Sequence, residues 1–128
     1  MQSLSVLIVD DNLAARKLLR SVLMGLNLRI MSHEAVDGIT ALKQIESSFY
    51  HLIFLDIEMP KMNGFEVLEK VLLEIPEQFV VIVSANATIV NVQKTIKLGG
   101  KGFIVKPYTS EKVKAVVDKY LKLKEASF

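Results

Sequence analysis

Apolar residues fall in five short runs, at 6–9, 28–31, 52–55, 79–83 and 103–105. The three longer uninterrupted runs, at 6–9, 52–55 and 79–83, are continuous rather than alternating, the pattern of strands covered on both faces. The segments between them carry apolar residues at helical spacing. Ala15, Leu18, Leu19, Val22 and Leu23 form one stripe. Gly38, Ala41, Leu42 and Ile45 form a second, and Leu68, Val71, Leu72 and Ile75 a third. Ile89, Val92 and Ile96 form a sparser fourth, and Val113, Val116, Val117, Tyr120 and Leu121 a fifth. Asn63 and Thr109 stand where N-caps of the third and fifth helices belong. Gly25 and Gly99 suit helix ends, and Pro76 suits the turn after the third helix. Strict alternation of five strands with five helices predicts an α/β fold, an open parallel sheet with helices on both sides.

The chain has 128 residues, the size of one compact domain, and no linker or internal repeat interrupts it. It is long enough to bury a core without metal or disulfide staples. It contains no Cys, which excludes a disulfide framework, a thiolate metal site and a cysteine nucleophile. The five Met are dispersed and read as fillers of core gaps. The start of the chain lacks a basic segment and its first apolar run ends at Asp10, which argues against export. No apolar run reaches a membrane span, so the expectation is a soluble cytoplasmic protein without membrane insertion.

The net charge of +2 conceals an asymmetry. Residues 94–125 hold nine lysines against Glu111, Asp118 and Glu125, a net +6, which leaves −4 for the rest. The lysines are spaced rather than clustered. They read as a solvated face, not as a nucleic-acid surface.

Ligands of parallel α/β sheets sit beyond the carboxyl ends of the strands. There the first strand delivers Asp10 and Asp11, the third Asp56 and Glu58, the fourth Ser84 and the fifth Lys106. Three aspartates in one cleft cannot all stay ionised without a cation. Carboxylate oxygens without His or Cys suit Mg²⁺ or Mn²⁺. Asp56 is then a candidate nucleophile that forms an acyl phosphate. Lys106 would offset phosphoryl charge and the Ser84 hydroxyl would donate to it. Singly, these residues also read as a helix-capping Asp pair, an ion-pair Lys and a turn Ser.

In order, Val6-Leu-Ile-Val-Asp-Asp11, Asp56-Ile-Glu-Met-Pro-Lys-Met-Asn-Gly64, Ser84-Ala85 and Gly102-Phe-Ile-Val-Lys-Pro107 resemble the receiver domains of two-component signalling. The resemblance spans residues 4–122 and is nearest to the stand-alone, chemotaxis-regulator kind. It implies a (βα)5 doubly wound, flavodoxin-like sheet of five parallel strands in the order 2-1-3-4-5, with residues 1–128 as a single receiver domain. It implies that Asp56 accepts a phosphoryl group from a phosphohistidine of a sensor histidine kinase or phosphotransfer protein. Asp10, Asp11 and Asp56 would hold Mg²⁺ with the Glu58 backbone carbonyl, Asp10 largely through water. Ser84 and Lys106 would contact the phosphoryl group. Ser84 and Phe103 would form the switch that alters the face of the fourth helix, fifth strand and fifth helix, where a protein target docks. Pro60 belongs to the loop motif, Gly64 would permit the turn into the third helix, and Pro107 would follow a cis peptide bond. The implied state is a monomer, with dimerisation open on phosphorylation. The only catalysis implied is on the protein's own aspartyl phosphate.

Some residues depart from the family pattern. Phe103 stands where Tyr is frequent, and Asn63 where Asp is frequent. Glu58 and Asn86 flank the path of a hydrolytic water and would set the phosphoryl lifetime. Other signals carry little. The stretch from Asp56 has Lys61 where a calcium loop needs Gly. Gly99-Gly-Lys-Gly102 lacks the spacing of a P-loop. His33 and His51 have no partner at metal-ligand spacing. Three rivals stay open. One is a haloacid dehalogenase-like phosphatase, although Asn12 stands where its second Asp belongs. The second is a flavin mononucleotide binder, although Asp10 and Asp11 would repel a phosphate. The third is a receiver used only for docking.

Overall fold

The structure is a computed structural model and describes residues 3–126. Five units alternate along the chain: β1 (Leu4–Val9), α1 (Leu13–Gly25), β2 (Ile30–Ala35), α2 (Gly38–Ser47), β3 (Leu52–Asp56), α3 (Gly64–Glu74), β4 (Phe79–Ser84), α4 (Ile89–Leu98), β5 (Gly102–Val105) and α5 (Ser110–Ala126). The strands form one parallel sheet in the order β2-β1-β3-β4-β5. This is the doubly wound, flavodoxin-like arrangement that the resemblance to receiver domains implies.

Alternate strand residues point to opposite faces, and each face has its own cover. Leu7, Val9, Ile53, Leu55, Val80 and Ile82 meet α2 and α3, with Leu98 of α4 and Phe103 packed at the margin. Val6, Ile8, Leu52, Phe54, Val81 and Val83 meet Leu19 and Leu23 of α1 and Val113 and Val117 of α5. Burial on both faces is why β1, β3 and β4 read as continuous apolar runs.

Three expectations needed correction. The second strand starts at Ile30 and continues to Ala35, past the apolar run at 28–31. It lies at the sheet edge, with Met31 and His33 exposed, so Ser32, His33 and Glu34 hide it from an apolar count. The fourth apolar stripe points outward: Ile89 and Ile96 are 75% and 69% exposed, and the inward residue of α4 is Thr95. Its hydroxyl donates to the Asn91 carbonyl at 2.8 Å, which makes its burial tolerable. Met59 is buried and Met62 packs on the core, but Met24 and Met31 are exposed, and Met1 lies outside the described residues.

The caps follow the sequence. Asn63 and Glu66 close a capping box at the start of α3. Thr109 Oγ1 accepts from the Lys112 amide at 3.2 Å. Gly99 ends α4 at φ 96°, a conformation that favours glycine. Gly25 is the last residue of α1.

Candidate functional site

β1, β3, β4 and β5 are successive neighbours in the sheet, so their carboxyl ends open onto one edge. A cleft of about 400 Å³ lies there, lined by Asp10, Asp11, Asp56, Glu58, Asn86 and Lys106 among others. Asp10 and Asp56 are 1% and 3% exposed, whereas Asp11 stands at the surface. One carboxylate oxygen from each of these three aspartates falls within 4.8 Å of the others.

The capping alternative for the Asp pair fails. Asn12 caps α1, accepting from the Ala15 amide at 2.8 Å. Asp10 instead accepts from the Asn12 amide at 2.9 Å through Oδ1 and from Lys106 Nζ at 2.7 Å through Oδ2. Lys106 Nζ also lies 3.5 Å from Asp56 Oδ1. The Lys106–Pro107 peptide is cis.

Asp56 Oδ1 is buried and accepts no hydrogen bond among the described residues. A carboxylate left that way is costly. Burial, then the charge of Asp10, with Glu58 adding, raises the Asp56 carboxyl to about 7 against the opposing pull of Lys106. Burial works against the Lys106 ammonium, but its bond to Asp10 and the two aspartate charges outweigh it, so its pKa rises. Glu58 moves the other way. Burial pushes its carboxyl up, yet hydrogen bonding led by Ser84 holds it below the usual carboxylate range.

An oxygen-only donor set with one unsatisfied buried oxygen fits a small hard cation such as Mg²⁺. Among the described residues, neither thiolate nor imidazole joins these donors.

Ser84 has no exposed surface. Its Oγ donates to Glu58 Oε1 at 2.6 Å and accepts from the Asn86 amide at 2.9 Å. Phe103 does not reach the cleft lining. It is half-buried on the α3 side of the sheet, beside Ile82 of β4. Pro60 is exposed in the loop before α3, where Lys61 takes φ 69°. Gly64 is needed for space rather than for an unusual backbone angle. A Cβ there would run into the Asp56 carbonyl oxygen and lie 2.9 Å from Ile57 Cα.

Two supporting residues escaped the apolar pattern. Arg16 is buried in α1, donating to the Asp10 carbonyl at 2.8 Å and to Glu34 of β2 at 2.9 Å. Its signal was a charge at i, i+3, i+7 spacing with Leu19 and Leu23. Tyr108, just past Pro107, is buried in the α1–α5 core, and burial with the Asp10 and Asp56 charges raises its phenol. His33 and His51 pack edge-on against Tyr50 and Tyr120 respectively, far in role from metal ligation.

A family model for the response regulator receiver domain matches residues 6–118. The chain is 32% identical to the chemotaxis protein CheY of Listeria monocytogenes, over 93% of this chain and 99% of that protein. It superposes on a CheY-like receiver domain protein from Methanospirillum hungatei with TM-score 0.87 at 25% identity, covering 99% and 100% of the two chains. A Borrelia burgdorferi CheY, solved in complex with CheX, BeF3 and Mg²⁺, superposes with TM-score 0.85 at 30% identity, covering 92% of this chain and 89% of that one.

Proposed function

Since this chain belongs to the response regulator receiver domains, we propose that it is the phosphoacceptor of a two-component phosphorelay, with Asp56 as the acceptor. Receiver domains are signalling modules rather than conventional enzymes. The observation that carries the reading is the buried, unbonded Asp56 Oδ1 beside two further carboxylates. The phosphatase and flavin rivals explain it less well, because Asn12 is committed to capping α1 and the cleft is acidic where a flavin phosphate would sit.

The chemistry needs little apparatus. Asp56 attacks the phosphorus of a phosphohistidine on a sensor kinase or phosphotransfer protein. The P–N bond breaks, and its electron pair stays on the imidazole nitrogen. Asp10, Asp11, Asp56 and the Glu58 main-chain carbonyl would hold Mg²⁺ or Mn²⁺. When bound, the cation neutralises charge and polarises the phosphoryl group. Lys106, already fixed by Asp10, offsets phosphoryl charge without reorganising. Ser84 donates to a phosphoryl oxygen. Glu58 and Asn86 border the approach of the water that ends the signal.

The downstream target would dock on the α4–β5–α5 face. Ile89, Val90 and Ile96 are exposed on α4, and Lys97, Lys101 and Lys119 surround that face. The combination suits an acidic, amphipathic protein segment rather than nucleic acid. The Borrelia complex with CheX supports a protein partner for the activated form. Half-buried Phe103 borders this face, which supports its pairing with Ser84 in the switch. No described helix is long and apolar enough to cross a membrane. A cytoplasmic monomer, with dimerisation open on phosphorylation, completes the reading.

The test is intact-protein mass after incubation with acetyl phosphate and Mg²⁺. One phosphoryl adduct is expected in the wild type, and none in Asp56→Asn or with EDTA. Absence of both an adduct and beryllofluoride binding in the wild type would leave docking alone as the function.

A further inference from the structure

Ser84 has one hydroxyl proton to give. Glu58 Oε1 takes it at 2.6 Å, within the short range of O–H bonds to a carboxylate. The Asn86 carbonyl, at 3.2 Å, is the longer alternative acceptor. Asn86 closes the ring from the other side. Its amide donates to Ser84 Oγ at 2.9 Å, and its Nδ2 donates to the same Glu58 oxygen at 3.2 Å. Asn91, in the first turn of α4, donates through Nδ2 to the Asn86 carbonyl at 3.1 Å. The ring therefore ties the loop after β3 to the loop after β4 and to the start of α4.

We propose that Glu58 is a positioning residue that acts through Ser84, a latch that holds the resting state. It engages the hydroxyl proton that a phosphoryl group on Asp56 needs, so activation requires Glu58 to be displaced. The inference rests on the phosphoacceptor reading and adds to it a threshold set by this one carboxylate. Asn86 and Asn91 pass release of the latch to α4, because the Asn86 amide loses its acceptor when Ser84 moves and Asn91 is bonded to the Asn86 carbonyl.

A residue at 58 without a side-chain acceptor would free the hydroxyl while keeping the main-chain carbonyl. A hydrogen bond to a charged acceptor corresponds to roughly tenfold or more in an equilibrium constant. Removing Glu58 also removes a negative charge near the site, and that alone favours an anion. The two effects separate in a double-substitution cycle, since charge relief persists when Ser84 is gone and latch release does not.

The experiment is calorimetric titration with beryllofluoride in saturating Mg²⁺. It compares wild type, Glu58→Ala, Ser84→Ala and the double variant. Glu58→Ala is expected to bind about tenfold tighter than wild type. In the Ser84→Ala background the same change is expected to gain no more than about threefold. Glu58→Gln, which keeps an acceptor oxygen and loses the charge, is expected to fall between, and serves if the alanine variant folds poorly. Equal gains in both backgrounds would reduce Glu58 to a charge effect and overturn the latch. No gain would overturn it as well. If wild type binds no beryllofluoride at all, the phosphoacceptor reading fails and the latch with it. Binding with no coupling sinks the latch alone.

Discussion

Asp56 binds its proton more tightly in the folded protein than in the unfolded chain, because burial and the Asp10 charge raise its carboxyl from the ordinary 3.8 to about 7. Below pH 4 both states are protonated and the group is neutral toward folding. As pH rises from about 4 to about 7, the unfolded chain ionises first and stability falls. Above pH 7 the whole penalty is present. Asp56→Asn removes it. The variant is expected to be more stable than wild type at pH 8 by a few kcal/mol, on the order of 2 to 4. The difference should close near pH 4. Urea midpoints of both proteins without added metal, at several pH values, check this, and a constant difference across the range would contradict it. The same residue makes the site ready for a cation, since a charge that is costly alone is stabilised once paired.

At the scale of the element, the loop from β3 to α3 carries the tightest constraint. The Gly64 amide donates to the Ile57 carbonyl at 3.0 Å, which folds the loop back against the end of β3. The capping box of Asn63 and Glu66 then starts α3 directly behind the site. A side chain at 64 must push the Asp56 backbone aside, and backbone does not yield cheaply. Gly64→Ala is expected to cost about 1 to 3 kcal/mol of stability and to weaken Mg²⁺ binding together with it. Denaturation and metal titration of the variant read the two effects, and unchanged metal affinity would separate the loop from the site. The elements differ in what they bury. β3 and β4 are buried at every position, whereas α4 buries Thr95 alone and leaves its isoleucines at the surface.

For the whole molecule, charge is unevenly distributed. Three aspartates and Lys106 share the cleft, while the other eight lysines of residues 94–125 lie on α4, α5 and the turn before β5. A divalent cation that binds only the folded cleft stabilises the fold by mass action. Addition of Mg²⁺ at one hundred times its dissociation constant is expected to add about 2.7 kcal/mol to wild-type stability. Asp11→Asn, at an exposed position, should fold normally and lose most of that gain. Thermal unfolding with and without Mg²⁺ checks it, and an equal gain in the variant would remove Asp11 from the ligand set.

The alternation of strands and helices, the caps at Asn63 and Thr109, and the residues at the strand ends are legible along the chain alone. Those features rest on local spacing and on motifs with little freedom. β2 was blurred because three consecutive polar residues, Ser32, His33 and Glu34, occupy this edge strand and break the apolar run. The fourth stripe misled because apolar residues at helical spacing mark a shared face, not the side on which it lies. Tertiary structure alone decided which way that face points, that Arg16 holds the Asp10 carbonyl, and that Gly64 is required by the backbone of Asp56. It also placed Glu58 against Ser84, 26 residues apart in sequence. Contacts of that kind depend on how two loops from different strands meet, and no periodicity along the chain encodes them.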